Sequence, residues 1–119
     1  MGTMKYLILI VGVIYLISRF VPTKGIKQIT TSELKGELKN KNNQFIDVRT
    51  TGEFKQISIK SFKNIPLNEL SNKAQVLDKE RSVIVICQSG MRSSNAARLL
   101  KKEGFKEIIN VKGGMNAWR

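Results

Sequence analysis

Four consecutive β-branched apolar residues, Val83-Ile84-Val85-Ile86, run straight into a cysteine, Cys87. A strand that is apolar at every position has to be covered on both faces. That is the signature of a buried strand in a parallel sheet with helices on either side. Ile26 to Ile29, Phe45 to Val48, Lys63 to Pro66 and Ile108 to Val111 read as further short strands. Between them lie helical segments over 33–38, 52–55, 67–77, 93–103 and 115–118. Leu67, Leu70, Ala74 and Leu77 keep helical spacing, as do Ala96, Ala97, Leu99 and Leu100. Thr30 with Glu33 forms a capping-box pattern at the start of the first of these helices. Strands alternating with helices define an α/β layered domain with a mostly parallel sheet. In such sheets, sites lie outside the carboxyl ends of the strands, where Asp47, Arg49 and Cys87 all fall.

Cys87 opens the run Cys87-Gln88-Ser89-Gly90-Met91-Arg92-Ser93 between a strand end and a helix start. Unpaired backbone N–H groups converge at such a place, and they stabilise an anion. A thiolate is an anion, so the geometry lowers a thiol pKa from about 8.5 towards roughly 3.5–7.5. The chain has one cysteine and no histidine, which excludes an internal disulfide, thiolate-rich zinc sites and a Cys–His pair. No metal or other cofactor is expected. The nucleophile must be activated by backbone dipoles and by Arg or Lys. Gly90 either lets the loop curl its N–H groups inward or is an ordinary turn residue. Arg92 either clamps an anion in the loop or stands outward as a solvated charge. Ser93 either bonds the loop or caps the helix. Met91 is a loop-mouth side chain or core filler, and Trp118 is a core or lid aromatic.

The 119 residues, 41% hydrophobic and 25% charged, suit one small domain plus an extension. That extension is the uncharged run from Tyr6 to Ser18, preceded by Lys5 and followed by Arg19. With Arg19 snorkelling, residues 5–22 approach the roughly 17 residues needed for a membrane-spanning helix. Tyr6, Tyr15 and Phe20 are candidate interfacial anchors. A cleaved signal peptide fits less well, because no small-x-small site follows the apolar run. The expected organisation is therefore an anchor and linker over 1–25 and a globular domain over 26–119. Arg19, Lys24, Lys27, Lys35, Lys39 and Lys41 follow the run, so the positive-inside bias puts the domain on the cytoplasmic side. That compartment also keeps a lone thiol reduced. Net charge is +12, but the lysines are scattered and aromatics are only 7%, which argues against nucleic acid as partner.

These pieces together resemble the single-domain rhodanese (thiosulfate sulfurtransferase) family. The resemblance rests on Phe45-Ile46-Asp47-Val48-Arg49 with Glu53-Phe54, then Asn64-Ile65-Pro66-Leu67. It continues through Val83 to Ser93, Ala96 to Leu100, Gly104-Phe105 and Val111 to Trp118, in family order over about residues 26–119. It implies a small α/β domain with a central five-stranded, mostly parallel sheet flanked by helices. It also implies that Cys87 accepts a sulfane sulfur as a persulfide and passes it to a thiophilic acceptor. Partners would be a small-molecule sulfur donor or a protein persulfide, and a thiol or cyanide acceptor. Backbone N–H groups of residues 88 to 92 would hold the thiolate and the persulfide. Asp47 and Arg49 are supporting residues without a proton-transfer role. The pattern is lost over 56–62, where Ile57-Ser58-Ile59 and Ser61-Phe62 replace the family's Gly-His-Ile and Gly-Ala.

Two other functions share the scaffold. A phosphatase or arsenate reductase of this fold resembles the cell-cycle dual-specificity enzymes, whose loops hold five residues between cysteine and arginine. Here four residues separate Cys87 from Arg92, a loop sized for sulfur. A non-catalytic docking or redox-sensing module would typically lose the thiol or crowd the loop, whereas Cys87, Ser89, Gly90 and Ser93 are kept.

Overall fold

The structure, a computed structural model, describes residues 2–20 and 25–119, with side chains from residue 4 to 15 in the first segment. The elements in chain order are α1 (Gly2–Phe20), β1 (Ile26–Ile29), α2 (Thr31–Glu37) and β2 (Gln44–Asp47). They continue with α3 (Thr51–Gln56), β3 (Lys63–Asn64) and α4 (Leu67–Lys73), which tightens into a 3₁₀ turn over Ala74–Val76. The last are β4 (Val83–Ile86), α5 (Met91–Lys102), β5 (Ile108–Val111) and α6 (Gly114–Ala117).

The five strands form one sheet in the order β1-β5-β4-β2-β3, and every pairing is parallel. The apolar strand β4 lies at the centre, with Val83 opposite both Gln44 of β2 and Ile108 of β5. Its side chains alternate faces, as the strand period of two requires. Val83, Val85 and Cys87 pack with Leu70, Ala74, Ala96, Ala97, Leu100 and Phe105, under α4 and α5. Ile84 and Ile86 pack with Leu34, Ile59, Phe62 and Met115 on the other side. Each of these Val and Ile side chains contributes about 1.5–3 kcal/mol by leaving water.

The strand expected over 45–48 is shifted one residue earlier, and the strand expected over 63–66 shrinks to Lys63–Asn64 because Pro66 has no N–H to add. Residues 56–62, outside the family pattern, are held by burial: Ile59 and Phe62 are buried, and the Phe62 ring lies 5.3 Å from that of Phe45.

The apolar run from Tyr6 to Ser18 is helical, as expected, within α1. Its described apolar side chains from Met4 to Tyr15 stand 49–71% exposed and belong to neither core. Among the described residues, however, no helix is long and apolar enough to cross a membrane, so the expected spanning anchor over residues 5–22 is not supported. Residues 21–24, the end of that segment and most of the expected linker, lie outside the described residues.

Candidate active site

Cys87 follows the last residue of β4, and the chain turns there into α5. The turn is made by Gly90, whose φ of +100° is a backbone conformation that side chains disfavour. Gly90 donates its N–H to Cys87 Sγ at 2.9 Å. Helix α5 starts at Met91, two residues earlier than the sequence suggested, with Gly90 as its cap. Ser93 is thus not a helix cap. It is buried in the first turn, where Cys87 Sγ donates to Ser93 Oγ at 3.3 Å and Ser93 Oγ bonds the Gly90 carbonyl at 3.2 Å. When the thiol ionises, the hydroxyl can rotate to donate to sulfur instead.

Burial pushes the Cys87 thiol pKa up, but the Ser93 hydroxyl and the N–H groups of Ser93, Gly90 and Ser89 outweigh it and hold the thiol below its ordinary value. The hydrogen bond to the sulfur comes from the Gly90 N–H, within the expected residues 88 to 92, with Ser93 Oγ facing the sulfur from the first turn of α5. The site provides a buried, activated thiol.

The neighbouring cations are already paired. Arg49 and Asp47 are both buried, and Arg49 Nη2 donates to Asp47 Oδ2 at 2.8 Å with Nε on the same carboxylate. Arg49 Nη2 also donates to the Ile57 carbonyl at 2.7 Å, and Nη1 reaches Gln88 Oε1 at 3.4 Å. This pair ties β2, the segment after α3, and the thiol loop together. Arg49, expected either to support the loop or to lend it positive potential, is held in an ion pair with Asp47.

Arg92 is paired with Glu53. Its Nη1 and Nη2 donate to Glu53 Oε1 and Oε2 at 2.8 and 3.0 Å, a two-point pair with about a third of each side chain exposed. The Arg92 guanidinium holds the Glu53 carboxyl well below the usual range, at about 2. Glu53 Oε1 also accepts from the Thr50 N–H, completing a capping box on α3. A cleft of about 360 Å³ lies beside Arg92, lined by Val48, Thr50, Pro66, Leu67 and Asn68. Met91 is 76% exposed, which places it at the loop mouth. Trp118 packs on the second core under Lys35 and is the expected core aromatic.

Three contributions to the loop carried no mark in the sequence reading. The N–H groups of Met115 and Asn116 donate to the carbonyls of Cys87 and Gln88 at 2.8 and 2.9 Å, so α6 clamps the loop from the far end of the chain. Gln88 Nε2 donates to Asn116 Oδ1. On β5, the buried Asn110 donates to Ser94 Oγ at 3.1 Å, and Ser94 in turn donates to the Gly90 carbonyl at 2.8 Å. No local pattern announces these contacts. The Thr50-x-x-Glu53 capping box, by contrast, was readable. Among the described residues, no group of acidic or thiol side chains could hold a metal ion.

The thiol sits at the carboxyl end of the central strand of a five-stranded parallel sheet, in the loop that leads into a helix of an α/β scaffold. The model of the rhodanese-like domain family matches residues 30–119, and the chain belongs to that family. YtwF of Bacillus subtilis, provisionally named a sulfurtransferase, is 38% identical over 94 residues, which are 78% of this chain and 90% of that protein. YrkF of the same organism, provisionally named a sulfur carrier protein, is 42% identical over 73 residues, 61% of this chain. The chain spans only 40% of the length of YrkF. The crystal structure of a rhodanese-like domain protein from Staphylococcus aureus superposes with a TM-score of 0.73 at 35% identity, covering 78% of this chain and 91% of that one.

Proposed function

We propose that the protein is a sulfurtransferase that moves a sulfane sulfur from an anionic donor to a thiophilic acceptor through a persulfide on Cys87. The observation that carries this reading is the buried Cys87 sulfur at the strand end, which accepts the Gly90 N–H at 2.9 Å and faces Ser93 Oγ at 3.3 Å. The Cys87 thiolate attacks the outer sulfur of thiosulfate or of a persulfide. The donor's S–S bond breaks, and sulfite or a thiolate leaves with the electron pair. The new terminal sulfur carries the negative charge, which the loop donors stabilise. A thiol or cyanide then removes that sulfur and regenerates the Cys87 thiolate. Gln88, Ser89, Gly90, Met91, Arg92 and Ser93 form the substrate loop, with Asp47 and Arg49 supporting it.

Attachment of residues 5–22 to a membrane, with the domain on the cytoplasmic side, is part of the same proposal. Its support is the exposed apolar side chains of α1 and a net charge of +12, which draws the chain towards anionic lipid. What is proposed is attachment, without a crossing helix.

The test is mass spectrometry of the full chain after thiosulfate and gel filtration, with Cys87→Ser beside it. One added sulfur on the Cys87 peptide, removable by cyanide or a thiol, is the expected outcome. No adduct from thiosulfate or polysulfide on folded, reduced protein overturns the reading and leaves the docking module as its successor.

A further inference from the structure

The charges around the thiol loop cancel in pairs. Buried Asp47 neutralises Arg49, and Glu53 neutralises Arg92 through two hydrogen bonds of 2.8 and 3.0 Å. Once Cys87 ionises, no unpaired guanidinium among these residues is left to draw in a highly charged donor. The polar groups at the sulfur itself are the Gly90 N–H and the Ser93 hydroxyl, neither of which carries a charge. Beside Arg92, the cleft wall contributed by Val48, Pro66 and Leu67 is apolar, which favours a donor with an organic body.

We propose that Glu53 is the residue that sets donor selectivity, favouring a singly charged organic persulfide over the thiosulfate dianion by neutralising Arg92. This rests on the sulfurtransferase reading above. The step balances as Cys87–S⁻ plus R–S–S⁻ giving Cys87–S–S⁻ plus R–S⁻. The sulfane S–S bond of the donor breaks, a new one forms on Cys87, and no external oxidant or proton is needed. With thiosulfate the leaving group is sulfite, which takes away two charges that nothing in the loop is free to meet. Glu53 acts through Arg92 and touches no reacting atom, so it is a positioning residue.

Glu53→Gln is the informative variant, because glutamine keeps the capping box with Thr50 while removing the charge and the second oxygen that Arg92 Nη2 bonds. The kcat/KM for thiosulfate relative to cysteine persulfide, which carries a net charge of −1, is expected to rise about five- to tenfold in this variant. A readout independent of sulfur transfer is the alkylation rate of Cys87 by anionic iodoacetate relative to neutral iodoacetamide. That ratio is expected to rise by a similar factor in Glu53→Gln and to fall in Arg92→Gln, which leaves Glu53 uncompensated. In the Glu53→Gln, Arg92→Gln double variant both ratios are expected to return close to wild type. An alkylation ratio that stays within about twofold of wild type in both single variants overturns the proposal, whatever the donors do. If the alkylation ratios move as expected while neither donor puts sulfur on Cys87, the electrostatic role of Glu53 stands and the sulfurtransferase reading fails.

Discussion

Ser93 shows how one hydroxyl sets the chemistry of the only thiol. It is buried, it faces Cys87 at 3.3 Å, and it belongs to the first turn of α5. Hydrogen bonds to a charged partner contribute about 1.5–3 kcal/mol, and a pKa unit corresponds to about 1.4 kcal/mol. Ser93→Ala should therefore raise the midpoint of Cys87 alkylation against pH by about one unit or more. The sign follows from the folded state. The Cys87 pKa is depressed, so the thiolate persists below the ordinary thiol range and is lost as pH falls through the lowered value. Removing a donor moves that loss to higher pH. A midpoint unchanged in Ser93→Ala would leave the backbone N–H groups as sufficient by themselves. Glu53 does not share in this effect: its carboxyl, held at about 2, keeps the ion pair with Arg92 intact through the whole range in which Cys87 titrates.

At the scale of elements, the loop is gripped from both ends. Helix α5 supplies donors to the sulfur, and the short α6 returns from the chain terminus to bond the carbonyls of Cys87 and Gln88. That grip depends on Gly114, where φ is +53° and an added Cβ would collide with the Cys87 carbonyl. Gly114→Ala should cost more than about 2 kcal/mol, combining left-handed strain with that collision. The expected readings are a lower thermal midpoint and a Cys87 alkylation midpoint shifted towards that of an unstructured thiol. A variant as stable as wild type, with unchanged thiol reactivity, would show that α6 does not shape the loop. The elements themselves were largely visible beforehand. The segments 26–29 and 108–111 became β1 and β5 with the bounds read from sequence, their end residues Ile26, Ile29, Ile108 and Val111 being buried. The start of α5 was missed, because the helix is capped by a glycine in the left-handed region, where a serine cap had seemed equally available.

For the whole molecule, the described part of α1 stands apart from both core clusters, which are complete without it. Residues 25–119 alone should therefore melt within about 3 °C of the full chain, since a 1 kcal/mol loss would shift a domain of this size by about 4–8 °C. Flotation with anionic vesicles should carry the full chain and leave residues 25–119 behind. Equal flotation of both would assign the lipid affinity to the basic surface of the domain. A larger drop in melting temperature would place α1 in the fold.

The sequence alone determined the α/β class, the parallel sheet, the position of Cys87 and the kind of activation open to it. These follow from local facts: apolar runs must be buried, a cysteine between strand and helix meets unpaired N–H groups, and a chain without histidine has no imidazole to serve as base. Tertiary structure decided where the charges went. Arg92 was a clamp or a solvated charge on paper, and it became half of a pair with Glu53, 39 residues away. Arg49 could have lent potential to the site and instead closed on Asp47. Partner choice for a long charged side chain depends on which opposite charge the fold brings within about 3 Å, and no spacing along the chain encodes that distance.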